Sequence, residues 1–165
     1  MLINNLNIRS ATHNDVPIIL EFIKALAEYE KLTHEVVATE ESLRTTLFGE
    51  KTFAEVVIGY DASGVPAGFA LFFHNYSTFL SKPGIYLEDL FVKPEFRGKG
   101  YGKSLLIYLA RLAEERQCGR LEWSVLDWNT PAIDFYKSLG AQPMDEWTMF
   151  RVTGEALTQL GNMDR

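Results

Sequence analysis

A formal net charge of −6 over 165 residues, from 22 acidic against 16 basic side chains, argues against nucleic acid as a partner, because a protein that grips a phosphate backbone needs a basic footprint. With 47% hydrophobic and 13% aromatic residues the chain can bury a core, and its length fits one domain, residues 1–165. Cys118 stands alone, and His13, His34 and His74 lack metal-ligand spacing, so no disulfide and no metal are expected. With neither a signal-like leader nor a run of about 18 apolar residues, a soluble protein of the reducing cytoplasm with no membrane partner is expected.

Leu6 to Arg9 reads as a short strand. Ala11-Thr12-His13-Asn14-Asp15 then offers capping residues to a helix whose Val16, Ile19, Leu20, Ile23, Leu26 and Ala27 share one face and which ends near Tyr29-Glu30. On charge alone the acidic end, Glu28-Tyr29-Glu30 with Glu35, Glu40 and Glu41 beyond, is a solvated surface. Thr39 caps a second helix through Leu43 and Leu47, stopped by Gly49. Phe53 to Tyr60 and Pro66 to Asn75 read as a hairpin around Asp61-Ala62-Ser63-Gly64, and a third strand from Ile85 to Val92 completes an antiparallel meander.

That third strand stops at Lys93-Pro94, and Gly98, Gly100 and Gly102 then open an amphipathic helix carrying Leu105, Leu106, Leu109, Leu112 and Ala113 on one side, with its end at Gly119. Glycines at a helix start let main chain approach a ligand closely, and the first N–H groups with the positive dipole end attract phosphate. A nucleotide P-loop ending at Gly102-Lys103-Ser104 would need its first glycine where Arg97 stands. A dinucleotide fingerprint begun at Gly98 or Gly100 needs glycine at Lys103 or Leu105. Beyond the helix, Leu121, Trp123 and Val125 alternate as a strand, Asn129-Thr130-Pro131 opens a short helix to Gly140, Glu146 to Val152 reads as a final strand, and Thr153 starts a terminal helix.

The pattern that fits without a gap is [Q/R]-x-x-G-x-[G/A], read as Arg97-Gly98-Lys99-Gly100-Tyr101-Gly102, and it resembles the acyl-coenzyme A pyrophosphate loop of GNAT N-acetyltransferases. Downstream, Asp127-Trp128-Asn129-Thr130-Pro131-Ala132 through Phe135-Tyr136 to Gly140-Ala141 resembles the second half of the same signature at the family's spacing. Leu87-Glu88-Asp89-Leu90-Phe91-Val92 and Ala27-Glu28-Tyr29-Glu30 resemble spermidine/spermine and thialysine N-acetyltransferases. The fold this implies is α/β: a mixed, mostly antiparallel sheet with helices on both faces.

The resemblance implies an enzyme that moves acetyl from acetyl-coenzyme A to a primary amine of a small cationic substrate, a di- or polyamine or a thialysine- or lysine-like amino acid, by direct attack. It implies cofactor contacts from the backbone of Leu90, Phe91 and Val92, from Arg97 through Lys103 (Gly98, Lys99, Gly100, Tyr101 and Gly102 between), and from Asn129 and Tyr136, the tyrosine serving as acid to the departing sulfur. Glu28, Tyr29, Glu88, Asp89 and Trp128 would line the substrate end. An alkylammonium of pKa about 10 must lose a proton before it attacks, and a carboxylate can take it. Glu88 is assigned as that base, through water, and Asp89 as the holder of the ammonium; since alternation aims neighbours to opposite faces, both reach one site only through a bulge or twist, which the family is known for. A homodimer sharing the C-terminal strand is implied as well. The alternatives are acetylation of another small amine or a protein N-terminus, and a non-catalytic acetyl-coenzyme A binding module.

Overall fold

The computed structural model describes residues 1–164 and separates into two compact units, one from Met1 to Ser124 and one from Val125 onward. The first holds β1 (Leu2–Ile3), β2 (Leu6–Ser10), α1 (Val16–Tyr29), α2 (Glu40–Phe48), β3 (Glu55–Tyr60), β4 (Pro66–Ser77), β5 (Lys82–Val92), α3 (Tyr101–Glu115) and β6 (Leu121–Trp123). Its six strands lie in sequence order in one sheet, antiparallel throughout except for β5 and β6, which run parallel around α3. This is the mixed, mostly antiparallel α/β sheet that the sequence implies.

Alternation along the strands builds two cores. Val56, Ile58, Phe69 and Phe91 meet Val16, Ile19 and Phe22 of α1 and Leu43 and Leu47 of α2; Phe22 stacks on Phe69 at 5.0 Å and meets Phe91 edge-on at 6.4 Å. The residues between them, Val57, Ala70, Phe72, Ile85 and Leu87, are buried on the opposite face, to which α3 contributes Leu105 and Leu109.

β1 and β2 form a two-residue hairpin, Ile3 pairing with Leu6, in which Asn4 and Asn5 take φ of 50° and 61°. Two left-handed residues make the type I′ turn that matches strand twist, and asparagine is the side chain that best tolerates it after glycine. β2 is tied to the start of α1 by Asp15, whose two carboxylate oxygens each receive a guanidinium nitrogen of Arg9 at 2.9 Å, while the Thr12 amide donates at 2.7 Å.

In the second unit α4 (Thr130–Ser138) and α5 (Gly154–Gly161) form where capping and proline signals place them. The expected strand from Glu146 to Val152 is absent: the segment is irregular, and the sheet ends at β6. Alternation of Trp147, Met149 and Arg151 describes an extended habit, but a strand exists only where a neighbour completes its ladder, and none of the described strands takes that place.

The Arg9 guanidinium, with the Thr12 donors, draws the Asp15 carboxyl from its ordinary 3.8 down to about 2. The folded state thus holds Asp15 ionised where the unfolded chain would protonate it, so its contribution is complete above about pH 4 and is lost as pH falls through 2. Asp15→Asn should lower unfolding stability by about 2 kcal/mol at pH 7 in urea titrations, with the gap to wild type narrowing between pH 4 and pH 2.

Candidate active site

β5 is paired along its whole length with β4, from Lys82 opposite Ser77 to Val92 opposite Gly68. On its other edge, among the described strands, it meets β6 only from Ile85 to Leu87. The main chain of Leu90, Phe91 and Val92 therefore lies along an edge without a ladder, where an extended amide-bearing ligand can pair in place of a strand.

The interruption coincides with a bulge. Phe72 pairs with Leu87 and Leu71 with Asp89, so Glu88 is the extra residue and the alternation of β5 changes phase there. Asp89 consequently shares a face with Phe91, Leu71 and Phe69, the face α1 covers, while Glu88 is exposed. Glu30, immediately after α1, is partly buried toward the same place: burial raises its carboxyl, and its charge acts on Asp89. Burial first, then the charges of Glu88 and Glu30, push Asp89 from 3.8 to about 6.

Glu30 belongs to the Ala27-Glu28-Tyr29-Glu30 stretch of the family resemblance, of which Glu28 and Tyr29 are the residues singled out for the substrate end. At 100° per helical residue Glu28 and Glu30 point nearly opposite ways. Glu28 is exposed and lines a separate shallow groove with Glu21, Lys24 and Thr33. The signal for Glu30 in the sequence is its place in that stretch; its relation to Asp89 depends on a strand far along the chain.

Tyr29 joins the site through Arg97, whose guanidinium lies 4.8 Å from the Tyr29 ring and 5.6 Å from that of Phe91, while its Nε donates to the Val92 carbonyl at 3.2 Å. Arg97 thus braces the strand end against α1. Gly98 and Gly100 both take φ of +77°, and Gly100 is the N-cap of α3. A Cβ on Gly98 would meet nothing within 4 Å, and one on Gly102 would meet only Val92 Cγ2 at 3.9 Å, so open space lies over the loop. The N–H groups of the first turn of α3 lack helical acceptors, and Lys99 and Lys103 are exposed nearby, a donor set that fits the pyrophosphate of a coenzyme A. The Tyr101 side chain is buried and packs against Phe96 at 6.3 Å, so only its main chain belongs to the loop surface.

Trp128, Asn129 and Tyr136 belong to the second unit. Asn129 Oδ1 accepts from the Ala132 amide at 3.4 Å and caps α4; Tyr136 is half-buried beside Phe135, ring centroids 5.6 Å apart; Trp128 is exposed. No group of three or more His, Cys, Asp or Glu able to hold a metal occurs among the described residues, and no helix among them is long and apolar enough to cross a membrane.

The first unit thus brings together an open-edged strand, a bulge carrying neighbouring carboxylates and a glycine loop opening a helix. The family profile described as "Acetyltransferase (GNAT) family" matches residues 23–141, and the chain belongs to that family. Thialysine N-epsilon-acetyltransferase of Bos taurus is 42% identical over 93% of this chain and 95% of its own length. L-ornithine N5-acetyltransferase of Arabidopsis thaliana is 37% identical over 95% and 88%. Among solved structures, an integron cassette protein from the mobile metagenome of V. cholerae superposes with a TM-score of 0.80 at 27% identity, covering 96% of this chain and 98% of that one. The protein is an N-acetyltransferase of GNAT type.

Because the folded-state pKa of Asp89 lies above its unfolded value, the ionised carboxylate costs stability above about pH 6, and protonation relieves that cost as pH falls toward 4. Asp89→Asn, which mimics the neutral acid, should therefore melt higher than wild type at pH 8 in a thermal scan, with the advantage gone by pH 4. A lower melting temperature at pH 8 would mean the carboxylate is a structural partner.

Proposed function

We propose that this enzyme transfers acetyl from acetyl-coenzyme A to a primary amine of a small cationic molecule, with diamino acids of the thialysine and ornithine kind, and polyamines, as its substrate class. The observation that carries this reading is the Glu30, Glu88 and Asp89 cluster at the open edge of β5, one turn of chain before the glycine loop. Three carboxylates close enough for the charges of Glu88 and Glu30 to act on Asp89 supply what a polycation needs, and burial raises both Asp89 and Glu30. The names of the relatives support the amine class.

Acetyl-coenzyme A supplies the acetyl group as a thioester. Within the protein, Asp89, whose pKa of about 6 makes it a competent acceptor near neutrality, takes the ammonium proton in place of Glu88, the residue assigned from sequence; Glu88 and Glu30 hold the remaining positive charge. The main chain of Leu90 to Val92 orients the donor arm and presents N–H groups where negative charge develops. Tyr136 Oη holds the proton for the departing thiolate and Asn129 steadies the donor arm, roles supported by their place in the family pattern. The family match extends across both units, which supports one acetyltransferase domain.

A homodimer formed partly through the segment around Trp147 and Phe150, which the family resemblance implies, is supported by their apolar side chains, 77% and 91% exposed. A cytoplasmic setting accords with the single cysteine, Cys118.

Incubation with acetyl-coenzyme A and a panel of thialysine, ornithine, lysine, spermidine and an aminoglycoside, followed by mass detection, tests the proposal. Acetylated diamino acid or polyamine is the expected product. Coenzyme A binding without any product across the panel would favour a non-catalytic binding module.

A further inference from the structure

The β1–β2 turn lies far from the glycine loop in sequence but against it in space. The Asn4 side-chain amide donates from Nδ2 to the carbonyl of Lys99 at 2.8 Å, and a Cβ placed on Gly100 would come within 2.8 Å of that same nitrogen. The Lys99 carbonyl and the Gly100 N–H belong to one peptide unit, and none of the peptides is cis. In a trans peptide the two groups point in opposite directions. A donor that fixes the carbonyl on one side therefore aims the Gly100 N–H to the other. The next carbonyl, that of Gly100, is occupied too, receiving the Ser104 amide and the Ser104 hydroxyl, each at 3.0 Å. Both carbonyls flanking the Gly100 residue are thus held by protein donors, and the amides are left as the groups the loop can offer an anion.

We propose that Asn4 is a positioning residue for the donor site: its Nδ2 sets the orientation of the Lys99–Gly100 peptide so that the loop presents a preformed N–H to the pyrophosphate. The proposal rests on the reading of this loop as the coenzyme A site. The turn that carries Asn4 suits the task, because φ of 50° and 61° at Asn4 and Asn5 fixes the side chain on a two-residue hairpin anchored in the sheet. It also changes the reason Gly100 must be glycine. A methyl group there is opposed by the Asn4 amide and by the left-handed backbone, φ +77°, before any ligand is considered.

Asn4→Gly keeps the turn conformation and removes only the donor; Asn4→Asp tolerates the same φ and cannot donate at neutral pH. Both should bind coenzyme A about threefold to tenfold more weakly by calorimetric titration, the scale of one oriented hydrogen bond. The KM for acetyl-coenzyme A should rise by a similar factor with kcat held, and the melting temperature should stay near that of wild type. Asn5→Gly, which alters the same turn at an exposed side chain, should bind as wild type does. Unchanged affinity in both Asn4 variants, or an equal loss in Asn5→Gly, would overturn the proposal. Failure of the wild type itself to bind coenzyme A would overturn the reading of the loop instead.

Discussion

One irregularity in one strand organises the functional half of this molecule. The ladder between β5 and β6 ends at Leu87, and the next residue, Glu88, has no partner on β4. Had the strand continued in register with β4, Asp89 would share a face with Leu87 and lie against the packing of α3. The extra residue turns Asp89 toward α1. Beside it, where the short β6 ends, the open edge leaves backbone groups that a ligand can satisfy, so the bulge and the open edge together place a buried carboxylate next to a groove.

Around that interruption the electrostatics divide by sign. Glu30, Glu88 and Asp89 gather at one end, and burial, reinforced by the charges of Glu88 and Glu30, raises the Asp89 carboxyl to about 6. Past Val92 the chain turns cationic and donor-rich: Arg97 braced on Tyr29 and Phe91, exposed Lys99 and Lys103, and the start of α3. On the proposed reading, an anionic donor and a cationic acceptor would be drawn to neighbouring places of opposite charge, which fits a chain of net charge −6 with a local cationic stretch. The acid end costs folded stability, as functional clusters commonly do, and pairs such as Arg9 with Asp15 contribute elsewhere.

Local periodicity made most of the fold legible. α1, α2 and α4 start and stop close to where caps, glycines and apolar spacing put them, while α3 starts at its glycines but ends at Glu115, short of the expected Gly119, because the chain turns off through Gln117 at φ 57°; the glycine loop could be told from nucleotide loops by counting. What depended on partners distant in sequence was not legible. The Glu30 charge acts on Asp89 across the α1 to β5 separation, and Asn4 reaches Lys99 across 95 residues. The segment from Glu146 to Val152 failed for the complementary reason, since alternation states a habit and a strand needs a neighbour. Tyr101 reads as part of a ligand loop, yet its ring is core, because the first residue of α3 already faces Phe96.

The account stands or falls on Asp89 as the proton acceptor. The pH dependence of kcat/KM for the preferred amine, measured for wild type and Asp89→Asn, tests this most directly. Activity in the wild type should fall on the acid side with an apparent pKa near 6, where the carboxylate becomes protonated, and Asp89→Asn should lose about 10² to 10⁴ in rate together with that limb. An Asp89→Asn enzyme that keeps both its rate and its acid limb would contradict the account, and Glu88 would then be the carboxylate to test.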